Sequence, residues 1–385
     1  MKELAMKGKR CLLLLSVIIA LFTGFARAED AREAIASGAK AAVLIERKTG
    51  KVLLNHNEDQ ALPMASTTKV MTALLAMEYG HLDEIVTVSR NAYGVPGTSI
   101  YLNLGENITL RDLVHGLMLA SGNDAAMAIA EHIGGSVDGF CKLMTARARE
   151  LGCEKTVFLN PHGLPVAGHQ TTAYELALIA REAMKHEEFR RIVSTQRASI
   201  PWEGRPYGRI LNNKNRLLSE YSGATGIKTG YTRAAGRCLV FGAKRGGLEV
   251  IGVVLNCGDW FEEAKRLMDI GFERYEAFTV FEAGETVRVL PVRGGKDDAA
   301  YVCVPNGLSA PVLKGWIPEL EIDLPESVVA GLEMGAQVGE ARLVLEGEVL
   351  AAQPLVLAEN VAKRDFGFEL ERVVKNWVLV TRSGE

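Results

Sequence analysis

Pro63-Met64-Ala65-Ser66-Thr67-Thr68-Lys69-Val70-Met71-Thr72-Ala73-Leu74-Leu75-Ala76-Met77-Glu78-Tyr79 is the stretch on which the reading of this chain turns. Val70, Met71, Leu74, Leu75 and Met77 recur at helical spacing behind Pro63 and a serine suited to a helix start, so the pattern predicts a buried helix over 66–79. On a helix, residues three apart share a face, which brings Lys69 one turn after Ser66 and close to its hydroxyl. A hydroxyl beside an amine is a nucleophile with a candidate base.

Outward from that helix, residues 41–46 and 52–55 read as two strands joined by the glycine-containing turn Arg47-Lys48-Thr49-Gly50-Lys51. Downstream, 110–119, 123–133 and 172–184 carry helical patterns. From 227 onward the pattern returns to strands, at 238–243 and 250–256, followed by a helical stretch over 262–275. Strand regions enclosing a helical middle predict a mixed α/β domain over 29–275. Beyond it, short β-type runs such as 286–290, 300–304 and 341–345 predict a smaller all-β domain over 276–360. The segment 361–385 places Phe366, Leu370, Val373, Val374, Trp377 and Val378 on one helical face, with Lys363, Arg364, Arg372 and Lys375 elsewhere. That face suits either a membrane surface or packing on the β domain.

At the other end, Lys2, Lys7, Lys9 and Arg10 precede an apolar run over 11–25, and Ala26-Arg27-Ala28 has the small-x-small pattern of a cleavage site. The run is shorter than the roughly 20 apolar residues that span hydrocarbon. Residues 1–28 therefore read as an export signal. Cys11 sits at the start of the apolar run rather than after it, which argues against a lipid-attachment signal. Removing five basic residues and one acidic one leaves a chain more acidic than the full-length net charge of −3, no electrostatic candidate for nucleic acid. At 48% hydrophobic residues the remainder is long enough for two cores. Cys141, Cys153, Cys238, Cys257 and Cys303 are odd in number and widely spaced, so neither a disulfide framework nor a zinc spacing emerges. No cofactor is implied.

Two further elements follow Ser66-Thr67-Thr68-Lys69 in order: Ser121-Gly122-Asn123 and Lys228-Thr229-Gly230. Singly they are weak signals. Ser37-Gly38-Ala39-Lys40 repeats the first spacing and Lys48-Thr49-Gly50 the third, but Ser37 precedes a strand and Lys48 falls in a hairpin turn. Ser121-Gly122-Asn123 alone would read as a capped turn between helices. Together the three supply what attack on an amide carbonyl requires. Lys69 removes the proton of Ser66 if burial and a second cation, Lys228, disfavour its charged form. Ser121 relays a proton to the departing amine, and Asn123 holds the substrate backbone. Thr229 offers a hydroxyl to the substrate's carboxylate, and Gly230 lets the peptide approach an edge strand as an added strand.

At these residues the sequence resembles the low-molecular-mass penicillin-binding proteins of the D-alanyl-D-alanine carboxypeptidase family, the S11 serine peptidases. The resemblance covers 63–72, Ala120-Ser121-Gly122-Asn123-Asp124-Ala125, Asn160-Pro161-His162-Gly163-Leu164 and Gly226-Ile227-Lys228-Thr229-Gly230-Tyr231-Thr232. It implies a β-lactamase/DD-peptidase-like penicillin-recognising domain and an exported enzyme at the outer face of the cytoplasmic membrane. It implies further that Ser66 is acylated by peptidoglycan stem peptides ending in D-Ala-D-Ala, that β-lactams inhibit covalently, and that water deacylates. The backbone N–H groups of Ser66 and Tyr231 would form the oxyanion hole, and the tail would be an amphipathic membrane anchor. One departure concerns the substrate carboxylate: an arginine common in the family after the strand that follows the third motif is missing from Asn256-Cys257-Gly258-Asp259-Trp260, with Arg233 and Arg237 nearby but unaligned. His162 reads as a turn residue rather than a base.

The competing readings are a β-lactamase, a β-lactam-binding sensor or scaffold, and a DD-endopeptidase or transpeptidase on the same fold. The first needs a glutamate for its deacylating water, in a Glu-x-x-Leu-Asn motif. Here Leu159-Asn160 has Thr156 at the glutamate's place.

Overall fold

The structure, a computed structural model, describes residues 33–382. The expected export signal at 1–28 lies outside the described residues, as do the side chains of Trp377 and Val378. The chain divides into two compact units, with the boundary between Glu273 and Arg274.

In the first unit, β1 (Glu33–Ala34), β2 (Ala39–Glu46) and β3 (Val52–His56) pair with three strands from the unit's far end, β4 (Ala224–Thr232), β5 (Gly236–Arg245) and β6 (Leu248–Cys257). The sheet order is β1-β3-β2-β6-β5-β4, antiparallel except for β1 on β3. Val43 of β2 lies opposite Val253 of β6, joining segments far apart in sequence. Alternation along β2 feeds two faces. Ala41, Val43 and Ile45 join the main core. Leu44 points the other way, against the helix Trp260–Arg274, where a Cβ on Gly271 would come within 2.5 Å of its methyl. With both faces covered, nearly every residue of β6 is buried, although the strand is antiparallel.

The helical middle packs on one face. Helix α1 (Lys69–Tyr79) is buried over eight successive residues, Lys69 to Ala76, as a helix apolar all round must be. The helix expected over 66–79 differs in its first turn, which is a 3-10 turn over Ala65–Thr68. The cause is local: the Thr67 and Thr68 hydroxyls donate to the carbonyls three residues back, Met64 at 2.6 Å and Ala65 at 2.8 Å. Helix α2 (Asn123–Gly134) follows a π turn over Gly116–Ala120 and the left-handed Ser121. A hairpin of Arg197–Ile200 with Arg209–Asn212 has no counterpart in the sequence reading.

In the second unit, Tyr275–Phe281 pairs with Leu308–Leu313, and a six-stranded sheet runs from Glu319–Asp323 to Val328–Val329. Its alternation is clean: Ala300, Val302 and Val304 are buried, whereas Tyr301 faces outward. A terminal helix, expected from about residue 361, begins at Phe366, because Val361 is buried in the β core. Phe366, Leu370, Val373 and Val374 on it are exposed rather than packed on the sheet. Among the described residues no helix is long and apolar enough to cross a membrane.

Candidate active site

The strained entry to α1 sets the geometry. Ala65 adopts a left-handed φ of 49°, aiming its carbonyl at Gly163, where a Cβ would lie 1.8 Å from that oxygen. Only glycine, itself at φ 90°, fits there. The segment Asn160-Pro161-His162-Gly163-Leu164 is thereby locked under the first turn, with Thr72 donating to the Pro161 carbonyl at 2.6 Å.

Lys69 is completely buried. Its Nζ lies 3.1 Å from Ser66 Oγ, 2.8 Å from Asn123 Oδ1 and 2.7 Å from the His162 carbonyl. The Asn123 amide is oriented by its Nδ2, which donates to the Pro96 carbonyl at 2.6 Å. Two of the three neighbours of the amine are thus pure acceptors, and the third is a hydroxyl that can donate. The amine can donate to all three oxygens; when neutral it can keep its hydrogens on Asn123 and His162 and turn its lone pair to the Ser66 hydroxyl. Burial above all, then the like charges of Lys228 and Lys214, push the Lys69 pKa well below the usual lysine range, against a smaller opposing pull from Asp124.

Lys228 is also buried and donates to the Thr229 carbonyl at 3.0 Å. Burial first, and Lys214 second, lower its pKa to about 7. β4 is an edge strand of the sheet, and a Cβ on Gly230 would lie 2.8 Å from Ser66 N and 2.9 Å from Thr67 N. The strand therefore passes directly alongside Ser66. Thr229 is buried and Tyr231 exposed on it. Ser121 is buried two residues before Asn123 at the turn into α2. The structure thus brings Ser66, Lys69 and Asn123 into hydrogen-bond contact, runs Gly230 past them, and holds Ser121 and Lys228 on the adjoining elements.

The two look-alike segments are occupied elsewhere. Ser37 Oγ donates to Glu263 at 2.6 Å, and Thr49 Oγ1 donates to Glu46 at 2.6 Å. Thr156, at the place of a β-lactamase glutamate, is buried and donates to Glu175 at 2.5 Å. His162 contacts Lys69 through its carbonyl, while its ring Nδ1 accepts the Leu164 N–H at 3.2 Å. Burial first, then Lys69 and His169, hold the pKa of that ring near 4. Among the described residues no cluster of His, Cys, Asp or Glu has a metal-binding arrangement.

Sequence reasoning missed two contributors. Lys214 adds positive potential at both buried lysines, and its neighbours Asn213 and Asn215 gave no motif to flag it. The loop around Pro96 is held by Asp124, whose carboxylate accepts the N–H groups of Ile100 at 3.1 Å and Leu102 at 3.2 Å. A buried acid directly after Asn123 was the available signal. Arg237 is engaged with the Gly258 carbonyl at 2.6 Å.

Comparisons with known proteins agree for both units. The family described as D-alanyl-D-alanine carboxypeptidase matches residues 27–258, and the one described as penicillin-binding protein 5, C-terminal domain, matches 275–363. D-alanyl-D-alanine carboxypeptidase DacF of Bacillus subtilis is 35% identical, covering 97% of this chain and 99% of its own. DacC of Escherichia coli is 33% identical, covering 89% of each. The crystal structure of penicillin binding protein 5 from Haemophilus influenzae superposes with a TM-score of 0.68 at 27% identity, over 86% of this chain and 99% of that one.

Proposed function

The chain belongs to the D-alanyl-D-alanine carboxypeptidase family, and from that premise we propose how its residues divide the work. It is a serine-type D-Ala-D-Ala carboxypeptidase, acting on peptidoglycan peptides that end in D-Ala-D-Ala and binding β-lactams. Ser66 is the nucleophile. Neutral Lys69 takes its proton as Oγ attacks the carbonyl of the penultimate D-alanine, and the N–H groups of Ser66 and Tyr231 receive the developing oxyanion. Ser121 passes a proton to the amine of the departing D-alanine, while Asn123 holds the peptide backbone. Thr229, with the positive potential of Lys228 and Lys214, receives the terminal carboxylate and stands in for the missing arginine. Water then attacks the acyl-serine.

The observation that carries this reading is the fully buried Lys69 amine, 3.1 Å from Ser66 Oγ, with its other two neighbours oxygen acceptors. The test is D-alanine release from diacetyl-lysyl-D-alanyl-D-alanine. The Ser66→Ala variant is expected to lose release by about 10⁵-fold or more and to form no β-lactam adduct. Equal release from both proteins would overturn the assignment. Acylation by a β-lactam with no peptide release would instead favour a sensor.

The basic and apolar pattern of 1–28 supports export to the outer face of the cytoplasmic membrane. Exposure of Phe366, Leu370, Val373 and Val374 on the terminal helix supports peripheral attachment to a membrane surface there.

A further inference from the structure

Tyr101 is an aromatic residue in a backbone conformation that bulky residues avoid. Its φ of 60° lies in the left-handed region, and it is 73% exposed, so packing does not account for it. Its surroundings hold it there. The Tyr101 N–H donates to Ser99 Oγ at 2.8 Å, Arg209 donates to its carbonyl at 3.2 Å, and the flanking Ile100 and Leu102, both buried, give their N–H groups to Asp124. The same loop reaches the candidate site: three residues earlier, the Thr98 carbonyl accepts the N–H of Asn123 at 2.7 Å.

Arg209 connects this loop to a second aromatic group. Its guanidinium pairs with Glu106 at 2.9 Å, both side chains almost fully buried, and lies 4.8 Å from the ring centre of Trp202. Trp202 meets the ring of Tyr207 edge-on at 6.0 Å, and Tyr207 is 58% exposed. Glu203, next to Trp202, accepts the Asn107 N–H at 3.1 Å, so the turn of the 197–212 hairpin is fastened to the segment that follows Tyr101. Two exposed tyrosines thus stand on a base held by buried contacts. The charges of that base balance, Arg209 against Glu106, and the turn adds one acid, Glu203, and one base, Arg205, so nothing there favours an ionic ligand.

An uncharged aromatic surface of fixed geometry suits a ligand with a flat apolar face and a polar rim. A pyranose ring is such a ligand: its axial C–H bonds meet the negative face of an aromatic ring while its hydroxyls stay in water. Here the argument rests on the carboxypeptidase reading, because the peptides which that reading assigns to Ser66 are carried on the sugar chain of peptidoglycan. We propose that Tyr101 and Tyr207 form a binding site for the glycan strand of peptidoglycan, on the Asn123 side of the catalytic residues and separate from the groups that hold the peptide. Retaining the strand there raises the local concentration of stem peptides at Ser66.

The test has two readouts on the full chain. The first is calorimetric binding of glycan strands freed of their stem peptides by an amidase. Tyr101→Ala and Tyr207→Ala are each expected to weaken it by about tenfold, and Tyr207→Trp, which keeps an aromatic face, to stay within about threefold. The second is the ratio of kcat/KM for D-alanine release from polymeric, uncrosslinked peptidoglycan to that from diacetyl-lysyl-D-alanyl-D-alanine. Both alanine variants should lower this ratio by about tenfold, because only the polymer carries sugar. Each ratio is taken within one protein, so a partly folded variant still reports. Failure of the wild type to bind stripped strands, a ratio unchanged in both variants, or equal losses on polymer and small peptide, the mark of a peptide-binding or merely structural surface, would overturn the glycan site and leave the carboxypeptidase reading standing. Release from neither substrate, with stripped strands still bound through the tyrosines, would overturn that reading and leave the glycan site standing.

Discussion

Two stretches of this protein share the spacing of a serine three residues before a lysine, and they do opposite things. Ser66 and Lys69 lie on successive turns of a helical segment, with amine and hydroxyl in contact and the lysine sealed from water. Ser37 and Lys40 lie at the entrance to a β-strand, where three residues span about 10 Å and successive side chains point to opposite faces. Ser37 is bound to Glu263 and Lys40 is exposed. A second pair repeats the contrast: Lys228-Thr229-Gly230 is on an edge strand beside Ser66, whereas Lys48-Thr49-Gly50 caps a hairpin through Glu46. Residue spacing carries chemistry only when the backbone closes it into contact and burial alters the protonation of what is brought together.

The sharpest way to break that contrast is at the lysines of the first pair. Lys69→Met is expected to slow β-lactam acylation by about 10³- to 10⁴-fold, the worth of a positioned general base. Lys40→Met should leave it within about twofold. Similar losses in stopped-flow acylation for both would show that contact with Ser66 is irrelevant.

The next effect concerns the second pair. Lys228→Met should lower kcat/KM for D-alanine release by about 100-fold through loss of the charge proposed to face the substrate carboxylate, and Lys48→Met should not. The pH dependence sharpens this further. On the proposed mechanism acylation needs neutral Lys69, so its rate is expected to rise with pH through the depressed Lys69 pKa and level off above it. Removing the like charge of Lys228 raises the Lys69 pKa, so the rise moves to higher pH in Lys228→Met. A profile that stays in place would show that the two lysines are uncoupled.

The smallest effects belong to the look-alike residues themselves. Ser37→Ala and Thr49→Ala each remove a half-buried hydrogen bond to a carboxylate, at a cost of about 1 kcal/mol of stability in urea unfolding. Acylation should be unaffected. An activity loss beyond the unfolded fraction would mean that these segments reach the site after all.

Much of the fold was legible because it is encoded locally. The hairpin of β2 and β3, helix α1 and the β-rich second unit each have a hydrophobic period that fits within a dozen residues. The first turn of α1 was less legible, since the threonine hydroxyls that tighten it compete with the ordinary helical pattern. The hairpin of 197–212 lacked sustained alternation. At the site, Ser66, Lys69, Ser121, Asn123, Lys228, Thr229 and Gly230 announced themselves by type and spacing. Lys214 did not, because its influence is exerted through space on two residues it resembles in no motif.

By itself the sequence determined that the Ser66 hydroxyl and the Lys69 amine lie side by side, because residues three apart on a helical segment must share a face. It also determined that the chain carries an α/β region followed by a β-rich one. Only the tertiary structure decided that β2 lies against β6 and that the His162 carbonyl and Asn123 amide converge on Lys69. Those features arise where segments distant in the chain exclude water together. The protonation of a lysine is a property of that shared, desolvated environment rather than of any one stretch of residues.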